Sequence, residues 1–482
     1  MLKRGIFYHY RIFVRKNPKK SNGGAFVSSK NNKGAGNTLV HKNGSFSSSI
    51  GFVIACVGSA VGLGNIWMFP YRLGQYGGAA FLIPYILFVA LFGYVGLSAE
   101  FGIGRLSGTG TLGSYERCWS ERKVNKHNLG KVGKVLGWIP LLGSLGIAIG
   151  YSVIIGWVLR FLAGSVTGRL FESGQTSEYF SQATGEFGSV PWHAAVIIIT
   201  MIILIFGAVK YIERVNKIMM PVFFVLFAII AVRVAFLPGA VDGYKFLFIP
   251  DWSKLLEVDT WVMAMGQAFF SLSITGSGMI VYGSYLSKKE DITKASVRTA
   301  FFDTVAAMLS ALAIMPAVFA FGIAPKSGPP LMFITIPGIF DQMPMGRLFA
   351  VLFFLSVAFA GITSLVNMFE AVVESWQHKL KLNRKVAVAL CAAIAFAVGI
   401  FIEEEGKLGS WMDFITIIVV PFGAVLGAFS IYYILGLDKI LKELNIGRSK
   451  PLKKIFGWLG KYFYVPITIL VFVLGIVYGG IG

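Results

Sequence analysis

The stretch VGSAVGLGNIWMFPY, residues 57–71, lies inside a longer apolar run that can cross a membrane. Its middle nevertheless contains Gly58, Gly62 and Gly64, with Asn65 directly after. Glycine weakens a helix, and in lipid every backbone polar group needs a partner inside the protein. The stretch therefore predicts a helix that unwinds at mid-membrane and offers its freed backbone, together with an amide side chain, to a ligand. The alternative is close helix packing, since Gly58 and Gly62 form a GxxxG pair.

A second apolar run is interrupted in the same way. Residues 266–286 read GQAFFSLSITGSGMIVYGSYL, and their centre, SITGSG at 273–278, is a poor helix interior. This is the sixth candidate span, five after the first, so the two breaks occupy equivalent places in two units of opposite orientation. Paired broken helices in inverted halves indicate the binding site of a transporter. Freed carbonyls suit a cation, and the amino ends of half-helices suit an anion.

Composition indicates a polytopic all-α membrane protein. The 482 residues are 55% hydrophobic and 14% charged, with a mean hydropathy of +0.70, whereas soluble domains carry about 25% charged residues. Residues 331–345 are apolar but short and interrupted by proline, which predicts an outer re-entrant or hairpin segment. The apolar runs predict about eleven spans, roughly at 49–72, 78–104, 136–162, 192–210, 216–236, 259–286, 296–323, 346–376, 386–402, 411–436 and 462–480.

We expect three parts in the domain organisation. Residues 1–45 are predicted to be a disordered basic cytoplasmic tail, and residues 46–482 the transmembrane domain. Within that domain the 5+5 inverted repeat assigns about 46–236 to repeat one and about 258–436 to repeat two. An extra helix follows at about 462–480.

The distribution of charge excludes a nucleic-acid partner and orients the chain. The net charge is +21, and the first 44 residues hold ten Lys or Arg and no acid. Basic groups recur in alternate loops between apolar spans, while the other loops are neutral or acidic. This positive-inside bias predicts a multi-pass protein of the cell membrane, in contact with lipid, with a cytoplasmic N-terminus. The three cysteines predict neither a disulfide nor a metal site.

Several long motifs resemble the neurotransmitter:sodium symporter family, over about residue 46 to the end. They are GSAVGLGNIWMFPY at 58–71, GGAAFLIPY at 77–85, LPGAVDGYKFLFIPDWSKL at 237–255, GQAFFSLS at 266–273, YGSYLSKKED at 282–291 and AGITS at 360–364. The resemblance implies secondary active, Na⁺-coupled uptake of an amino acid or related amine by alternating access. The eleven spans are similar to those of its prokaryotic branch.

The resemblance implies two co-transported sodium ions. The first would be held by the Ala60 carbonyl, the side chains of Asn65 and Ser271, and the substrate's own carboxylate. The ligands implied for the second are the carbonyls of Gly58, Val61 and Ala360 and the hydroxyls of Thr363 and Ser364. Both sets are hard oxygen donors, as an alkali cation requires.

Gly62 points to the substrate class. Monoamine-transporting members have an aspartate at this position, and a glycine leaves room for the carboxylate of an α-amino acid. That carboxylate would meet the sodium, the amides near Leu63 and Gly64, and Tyr151, while its ammonium would meet carbonyls near Ala60, Phe270 and Ser271. The side-chain pocket implied by the resemblance is lined by Ile147, Tyr151, Phe270, Ser273, Gly276, Ser364 and Met368. Gly276 replaces a larger residue of the family and predicts a bulky hydrophobic or aromatic substrate.

Asp303 is an ionisable residue within the seventh predicted span, and such a residue indicates function. Chloride-dependent relatives bind Cl⁻ with residues that match Tyr85, Gln267 and Ser271. Asp303 resembles the carboxylate that replaces this anion in chloride-independent members, and it is also a candidate ligand of the first sodium. The alternative is a structural aspartate near a helix end that faces the cytoplasm.

The gates depart from the family pattern. Asp413 matches the acidic member of the outer Arg–Asp pair, but Met68 stands where the arginine is expected. The inner pair matches Asn43 and His378. We therefore expect the outer gate to consist of Tyr151, Phe270 and Asp413, and its closure to depend on packing more than on a salt bridge.

Other function classes are less consistent with the sequence. GLGNIW lacks the third glycine of a dinucleotide fingerprint, and the chain has no P-loop and no HExxH, so we do not expect an enzyme. Two alternatives remain open. One is Na⁺-coupled transport of another small amine or an osmolyte, and the other is a non-transporting receptor or a channel on the same fold.

Overall fold

A computed structural model of the chain describes residues 45–124, 127–172, 176–322 and 330–480. The predicted tail at 1–45, apart from its last residue, lies outside the described residues, and so does Asn43. The predicted repeat boundaries stay predictions.

The first half of the described chain is a succession of helices. They are α1 (Ser49–Ala60), α2 (Gly64–Gln75), α3 (Ala79–Ser107), α4 (Thr111–Ser120), α5 (Gly130–Thr167), α6 (Thr176–Ala183), α7 (Val190–Ile205) and α8 (Ala208–Ala235). The short antiparallel strands β1 (Lys123–Val124) and β2 (His127–Asn128) lie between α4 and α5.

The second half is helical throughout its described residues. Its helices are α9 (Ala240–Phe248), α10 (Trp252–Leu255), α11 (Val258–Ser271), α12 (Gly278–Ser284), α13 (Ile292–Ala320), α14 (Leu331–Asp341), α15 (Gly346–Lys379), α16 (Arg384–Phe401), α17 (Glu405–Leu435), α18 (Leu437–Leu444) and α19 (Lys454–Val477).

The helices agree with the predicted spans, with one difference in length. Within the described residues, eight helices are long and apolar enough to cross a membrane, and a ninth span results if α1 and α2 count as one. The other two predicted spans are the 16-residue α7 and the pair α11 and α12, which are divided by residues 272–277. The predicted outer segment at 331–345 is occupied mainly by the short helix α14, which ends at Asp341.

Both predicted helix breaks are present. α1 and α2 meet at an angle of 61° across Val61–Leu63, where Val61 is extended at φ −68° and ψ 115°. Between α11 and α12, Ser273 and Gly276 have positive φ angles of 52° and 71°. A left-handed residue cannot continue a right-handed helix, so the chain unwinds here.

Burial separates inner helices from outer ones. The apolar segment of α5 is 94% buried, whereas that of α8 is only 28% buried. The outer helices expose large apolar side chains, such as Ile218 on α8 and Val477 on α19. Apolar side chains on the outside of a bundle are what a lipid environment requires, and the inner helices are left to form the site.

A buried ion pair ties the end of α3 to α18. The Nε of Arg105 donates to the Glu443 carboxylate at 2.6 Å, and both side chains are almost fully buried. The same guanidinium donates to the carbonyls of Glu443 at 2.6 Å and Glu290 at 2.8 Å. One side chain therefore joins three separate segments at one end of the bundle.

Arg105→Gln should destabilise the protein strongly, because it leaves the Glu443 carboxylate buried without its cation. Breaking a buried pair in this way costs about 3–5 kcal/mol. The thermal unfolding temperature of the purified protein in detergent measures the effect. The matched control is Lys245→Gln, which removes an exposed pair with Asp242 on α9 and should change little. Equal unfolding temperatures for the two variants would contradict the role given to Arg105.

Candidate functional site

Three predicted site residues meet where the broken helices approach α13. The amide nitrogen of Asn65 donates to the Asp303 carboxylate at 2.8 Å and to the Ser271 hydroxyl at 3.0 Å. Ser271 in turn donates to the other carboxylate oxygen of Asp303 at 2.6 Å. The Asn65 oxygen accepts the Gly62 N–H at 3.0 Å, within the break itself. The first predicted sodium site is therefore a closed hydrogen-bond network built on one carboxylate.

Asp303 lies inside the bundle. It is fully buried, two to three turns into α13, and its contacts come from α2 and α11. This placement does not agree with the alternative of a structural aspartate near a helix end that faces the cytoplasm, because Asp303 lies eleven residues after the start of the helix at Ile292. A buried carboxylate is costly unless hydrogen bonds or a cation compensate for its lost hydration, and two hydrogen-bonded side chains do so here.

The residues predicted for the second sodium lie on two elements, the end of α1 and the part of α15 that faces it. Gly58 and Val61 are buried on one side, and Ala360, Thr363 and Ser364 on the other. Ser364 donates to the carbonyl of Ser59 at 3.1 Å, so α15 is bonded to the last turn of α1, next to the break. The hydroxyl of Thr363 donates to the Ala360 carbonyl at 3.0 Å. Oxygen atoms of both helices thus lie close together at this break.

The glycines of the first break have different structural roles. A Cβ at Gly58 would lie 1.7 Å from the side-chain oxygen of Asn216 on α8, so Gly58 permits close helix packing. A Cβ at Gly62 would lie 2.4 Å from the Tyr151 hydroxyl, whereas a Cβ at Gly64 would meet nothing within 4 Å. Gly58 therefore fits the alternative of close helix packing, whereas a glycine at position 62 is needed because the Tyr151 hydroxyl approaches the backbone there.

Tyr151 is bonded to the unwound backbone. Its hydroxyl accepts the Leu63 N–H at 2.8 Å, which compensates one amide that the break releases. On the other side of the same segment, the Gln267 amide donates to the Gly64 carbonyl at 3.1 Å. The side chain from α5 therefore replaces a helical hydrogen bond lost between α1 and α2, and the side chain from α11 adds a second partner to a carbonyl that already accepts the Phe69 N–H.

A cavity of about 590 Å³ lies beside both breaks. Its wall is mainly apolar and runs from the breaks to Glu405 on α17 and Gly480 at the other end. The wall contains most of the predicted substrate-binding residues, which are Ala60, Gly62, Leu63, Gly64, Ile147, Tyr151, Phe270, Ser271, Ser273, Ser364 and Met368. The predicted gate residue Asp413 and its neighbour Met68 also line it.

Gly276 does not line this cavity, contrary to the prediction. A Cβ at Gly276 would lie 2.6 Å from the Gly423 carbonyl and 2.8 Å from the Tyr115 hydroxyl, so the residue packs against α17 and α4. Its N–H donates to the Glu100 carboxylate at 2.8 Å. Glycine is therefore required at position 276 because the backbone has a φ of 71° and because there is no room for a side chain. Its small size does not enlarge the pocket.

Sequence reasoning missed Arg72, which lines the cavity one turn beyond Met68. Arg72 is 6% exposed, and among the described residues its Nε has no hydrogen-bond partner. Its NH1 contacts the sulfur of Met263 at 2.8 Å. The available signal was a lone arginine within an apolar span, which indicates function by default. The other wall residues that were not predicted include the polar side chains of Ser144, Thr275 and Asn367.

Glu370 is engaged away from the cavity. Its carboxylate pairs with Arg384 at 2.6 Å and accepts the Tyr285 hydroxyl at 2.6 Å. His378, the predicted inner-gate residue, is exposed in the last turn of α15. The described residues contain no group of three or more His, Cys, Asp and Glu side chains that could hold a metal ion.

Comparisons with known proteins agree on one family. The model of the sodium:neurotransmitter symporter family matches residues 43–184 and 174–478. An uncharacterized sodium-dependent transporter of Bacillus subtilis, YhdH, is 32% identical over 90% of this chain and 97% of its own. Another, MJ1319 of Methanocaldococcus jannaschii, is 32% identical over 83% and 84%. The crystal structure of MhsT in complex with L-phenylalanine is 33% identical, with a TM-score of 0.80, over 90% of this chain and 99% of MhsT.

Gly62→Ala and Gly64→Ala form a matched pair that tests the first break. The methyl group at position 62 would displace the Tyr151 hydroxyl and free the Leu63 N–H, whereas the methyl group at 64 enters open space. We expect the first variant to lose the rise in unfolding temperature on adding NaCl, relative to the same concentration of choline chloride, and the second to keep it. Loss of the sodium response in both variants, or in neither, would contradict this account of Gly62.

Proposed function

Because the chain belongs to the sodium:neurotransmitter symporter family and is a sodium-dependent symporter, we propose that it couples two sodium ions to uptake of a bulky hydrophobic or aromatic α-amino acid. The observation that carries the proposal is the large apolar cavity directly beside two unwound helices whose polar groups face it. The family and the relatives are transporters and not enzymes.

The backbone of the first break suits the head group of an amino acid. In this proposal the carboxylate lies near the amides of Leu63 and Gly64 and beside the Tyr151 hydroxyl, which can approach the break because Gly62 has no side chain. The ammonium group lies near the carbonyls of Ala60 and Phe270 and of Ser271. Half-helix amino ends favour the anion, and freed carbonyls favour the cation, so an unmodified α-amino acid satisfies both.

The remaining wall favours an apolar substrate side chain. Ile147, Phe270 and Met368 line the cavity with large apolar surfaces, and Trp157 and Phe180 extend it. These apolar residues offer no partner to a charged substrate side chain, which would lie against them at a high cost in desolvation. The size of the cavity and the aromatic residues in its wall support a large substrate. MhsT, which shares the fold, was solved with L-phenylalanine.

Two oxygen-rich clusters are proposed to hold the sodium ions. Ala60, Asn65, Ser271, Asp303 and the substrate carboxylate would hold the first, and Gly58, Val61, Ala360, Thr363 and Ser364 the second. Two sodium ions with a zwitterionic amino acid carry two charges, and the membrane potential then supplies about 4.6 kcal/mol per 100 mV. That energy is enough for concentrative uptake without ATP.

Asp303 is proposed to make transport independent of chloride. Its buried carboxylate, held by Asn65 and Ser271, gives the first sodium site a fixed negative charge. Since that charge is covalently part of α13, no mobile anion is needed to balance the cation.

Alternating access is proposed to follow from these contacts. Ligands that bind one state better shift the equilibrium toward it, and sodium and substrate would do so by drawing α2 and α11 together beside the breaks. Tyr151 and Phe270 would cover the substrate from the side of Asp413. The positive-inside bias places this side outside the cell and the N-terminus in the cytoplasm.

Uptake into proteoliposomes tests the proposed function. We expect tryptophan, tyrosine or leucine to accumulate against its gradient when Na⁺ is high outside, and alanine to accumulate less because it leaves the apolar wall uncovered. Replacing Na⁺ by choline should abolish accumulation, and replacing Cl⁻ by gluconate should leave it intact. If none of the four amino acids accumulated, the proposed substrate class would be wrong.

Asp303→Asn should make uptake respond to chloride. Without the fixed negative charge the bound sodium lacks its counter-charge, so uptake in gluconate should fall by about fivefold or more. Chloride should restore part of it. The control is Asp242→Asn, an exposed carboxylate on α9, which should leave both conditions unchanged. Wild-type uptake by Asp303→Asn in gluconate would show that the charge is not needed.

A further inference from the structure

A buried histidine and a buried glutamate face each other away from the sodium and substrate sites. His193 on α7 and Glu403, between α16 and α17, have fully buried side chains, and the Nδ1 of His193 lies 3.7 Å from the Oε1 of Glu403. Among the described residues neither of these two atoms has a hydrogen-bond partner. Two unpartnered polar atoms that face each other in a dry environment require an explanation.

The hydrogen bonds around His193 fix its tautomer. The Ser152 hydroxyl lies 2.7 Å from the Ile149 carbonyl, and since a carbonyl has no hydrogen, the single hydroxyl hydrogen must lie between them. The Ser152 oxygen also lies 3.0 Å from the Nε2 of His193. Ser152 has no second hydrogen to give, so Nε2 carries a hydrogen and donates it to the serine.

This leaves Nδ1 as the only ring position free to bind a further proton. If Glu403 is ionised and His193 neutral, a lone pair faces a carboxylate, and both are buried and unpaired. Adding one proton between them resolves the conflict, either as a protonated carboxyl that donates to Nδ1 or as an imidazolium paired with a carboxylate. Burial raises the pKa of the Glu403 carboxyl, which favours the first form.

We propose that His193 and Glu403 form a proton-binding site, and that its occupancy controls the segment that leads into the outer part of the cavity. The ligand is a single proton shared between the Nδ1 of His193 and the Oε1 of Glu403. When the proton leaves, the carboxylate and the lone pair repel each other and the α16–α17 connection loosens from α7.

The surroundings are shaped to hold this pair. A Cβ at Gly399 on α16 would lie 2.2 Å from the His193 ring, and a Cβ at Gly156 on α5 would lie 3.0 Å from its backbone nitrogen. The ring of Phe396 lies 5.2 Å from the imidazole and helps to exclude water. The second oxygen of Glu403 accepts the Ser189 N–H at 3.3 Å, which fixes the carboxylate.

The pair is connected to the cavity on both sides. Ser152 directly follows Tyr151, whose hydroxyl holds the Leu63 N–H at the first break. Glu403 lies two positions before the first residue of α17, and the first turns of α17 line the cavity through Glu405, Leu408 and Gly409. A shift of Glu403 therefore moves one wall of the cavity.

Neighbouring charged groups are engaged with other partners. Arg160 on α5 acts on Glu403 by charge and donates to the carbonyls of Gln182 and Gly188. Lys407 on α17 pairs with Glu404 at 2.8 Å and Glu186 at 3.6 Å. Helices α8 and α15 also pack on α7. Their charged residues pair elsewhere, as in Glu213 with Lys217, Arg347 with the Ser165 carbonyl and Glu370 with Arg384.

The sign of the pH dependence follows from linkage. Above about pH 6.5 a free histidine and a free glutamate in the unfolded chain hold no shared proton. The folded protein holds this proton to higher pH, so it contributes stability that is lost as the pH rises through the range in which the pair releases it.

Glu403→Gln tests the site, with Glu404→Gln as the matched control. The amide introduced at position 403 donates permanently to Nδ1 and needs no proton, whereas Glu404 is an exposed neighbour. Unfolding temperature in detergent and sodium-driven uptake are both measured over a pH series from mildly acidic to alkaline. The first readout needs no substrate, so it stands even if the assigned substrate is wrong.

We expect wild type and Glu404→Gln to lose unfolding temperature at alkaline pH and to lose about fivefold or more in uptake. Glu403→Gln should show flat profiles in both. Profiles of Glu403→Gln that parallel wild type would overturn the proton site. A flat stability profile with a wild-type uptake profile would overturn the control of the cavity by the proton.

Discussion

The structure depends on one constraint, which is that backbone polar groups freed inside a membrane bundle must find partners within the protein. The chain breaks two helices at the level of its cavity, and side chains from other helices bind the released groups. Tyr151 takes an amide of the first break, Ser364 donates to the Ser59 carbonyl at the end of α1, and Glu100 takes an amide of the second, while Gln267 adds a partner to the Gly64 carbonyl at the start of α2. The site thus consists of non-helical backbone segments, and the polar side chains of neighbouring helices supply the hydrogen-bond partners of those segments.

This arrangement links binding to conformation. Each partner of the backbone at the breaks comes from a different helix, so a change at the breaks alters hydrogen bonds to α3, α5, α11 and α15 together. The proposed cations would compete for the same carbonyls and the proposed substrate for the same amides, so both would act on these bonds directly. In the proposed transport cycle the coupling between ions and substrate is therefore a property of shared hydrogen-bond partners.

Charged residues inside the bundle divide into two kinds. Arg105 with Glu443 and Glu370 with Arg384 are closed ion pairs that join helices and leave no capacity for a ligand. Asp303 is held only by the neutral side chains of Asn65 and Ser271, and in the proposed function its carboxylate would balance the first sodium ion. A buried carboxylate that is held by neutral groups and not by a cation is the kind of group that indicates a functional site.

The sequence alone determined the helical membrane fold and the two breaks, and most of the substrate-binding residues inferred from it line the cavity. Hydropathy and the effect of glycine on a helix are local properties of the chain, so the helix break within 57–71 can be predicted from that run alone. Only the tertiary structure decided which contacts individual glycines and charged residues make. It showed that Gly62 accommodates Tyr151, that Gly276 packs against α17 and not in the pocket, and that Asp303 lies beside Asn65. These facts depend on which residues distant in sequence lie within a few ångströms, and such contacts arise only when the helices pack.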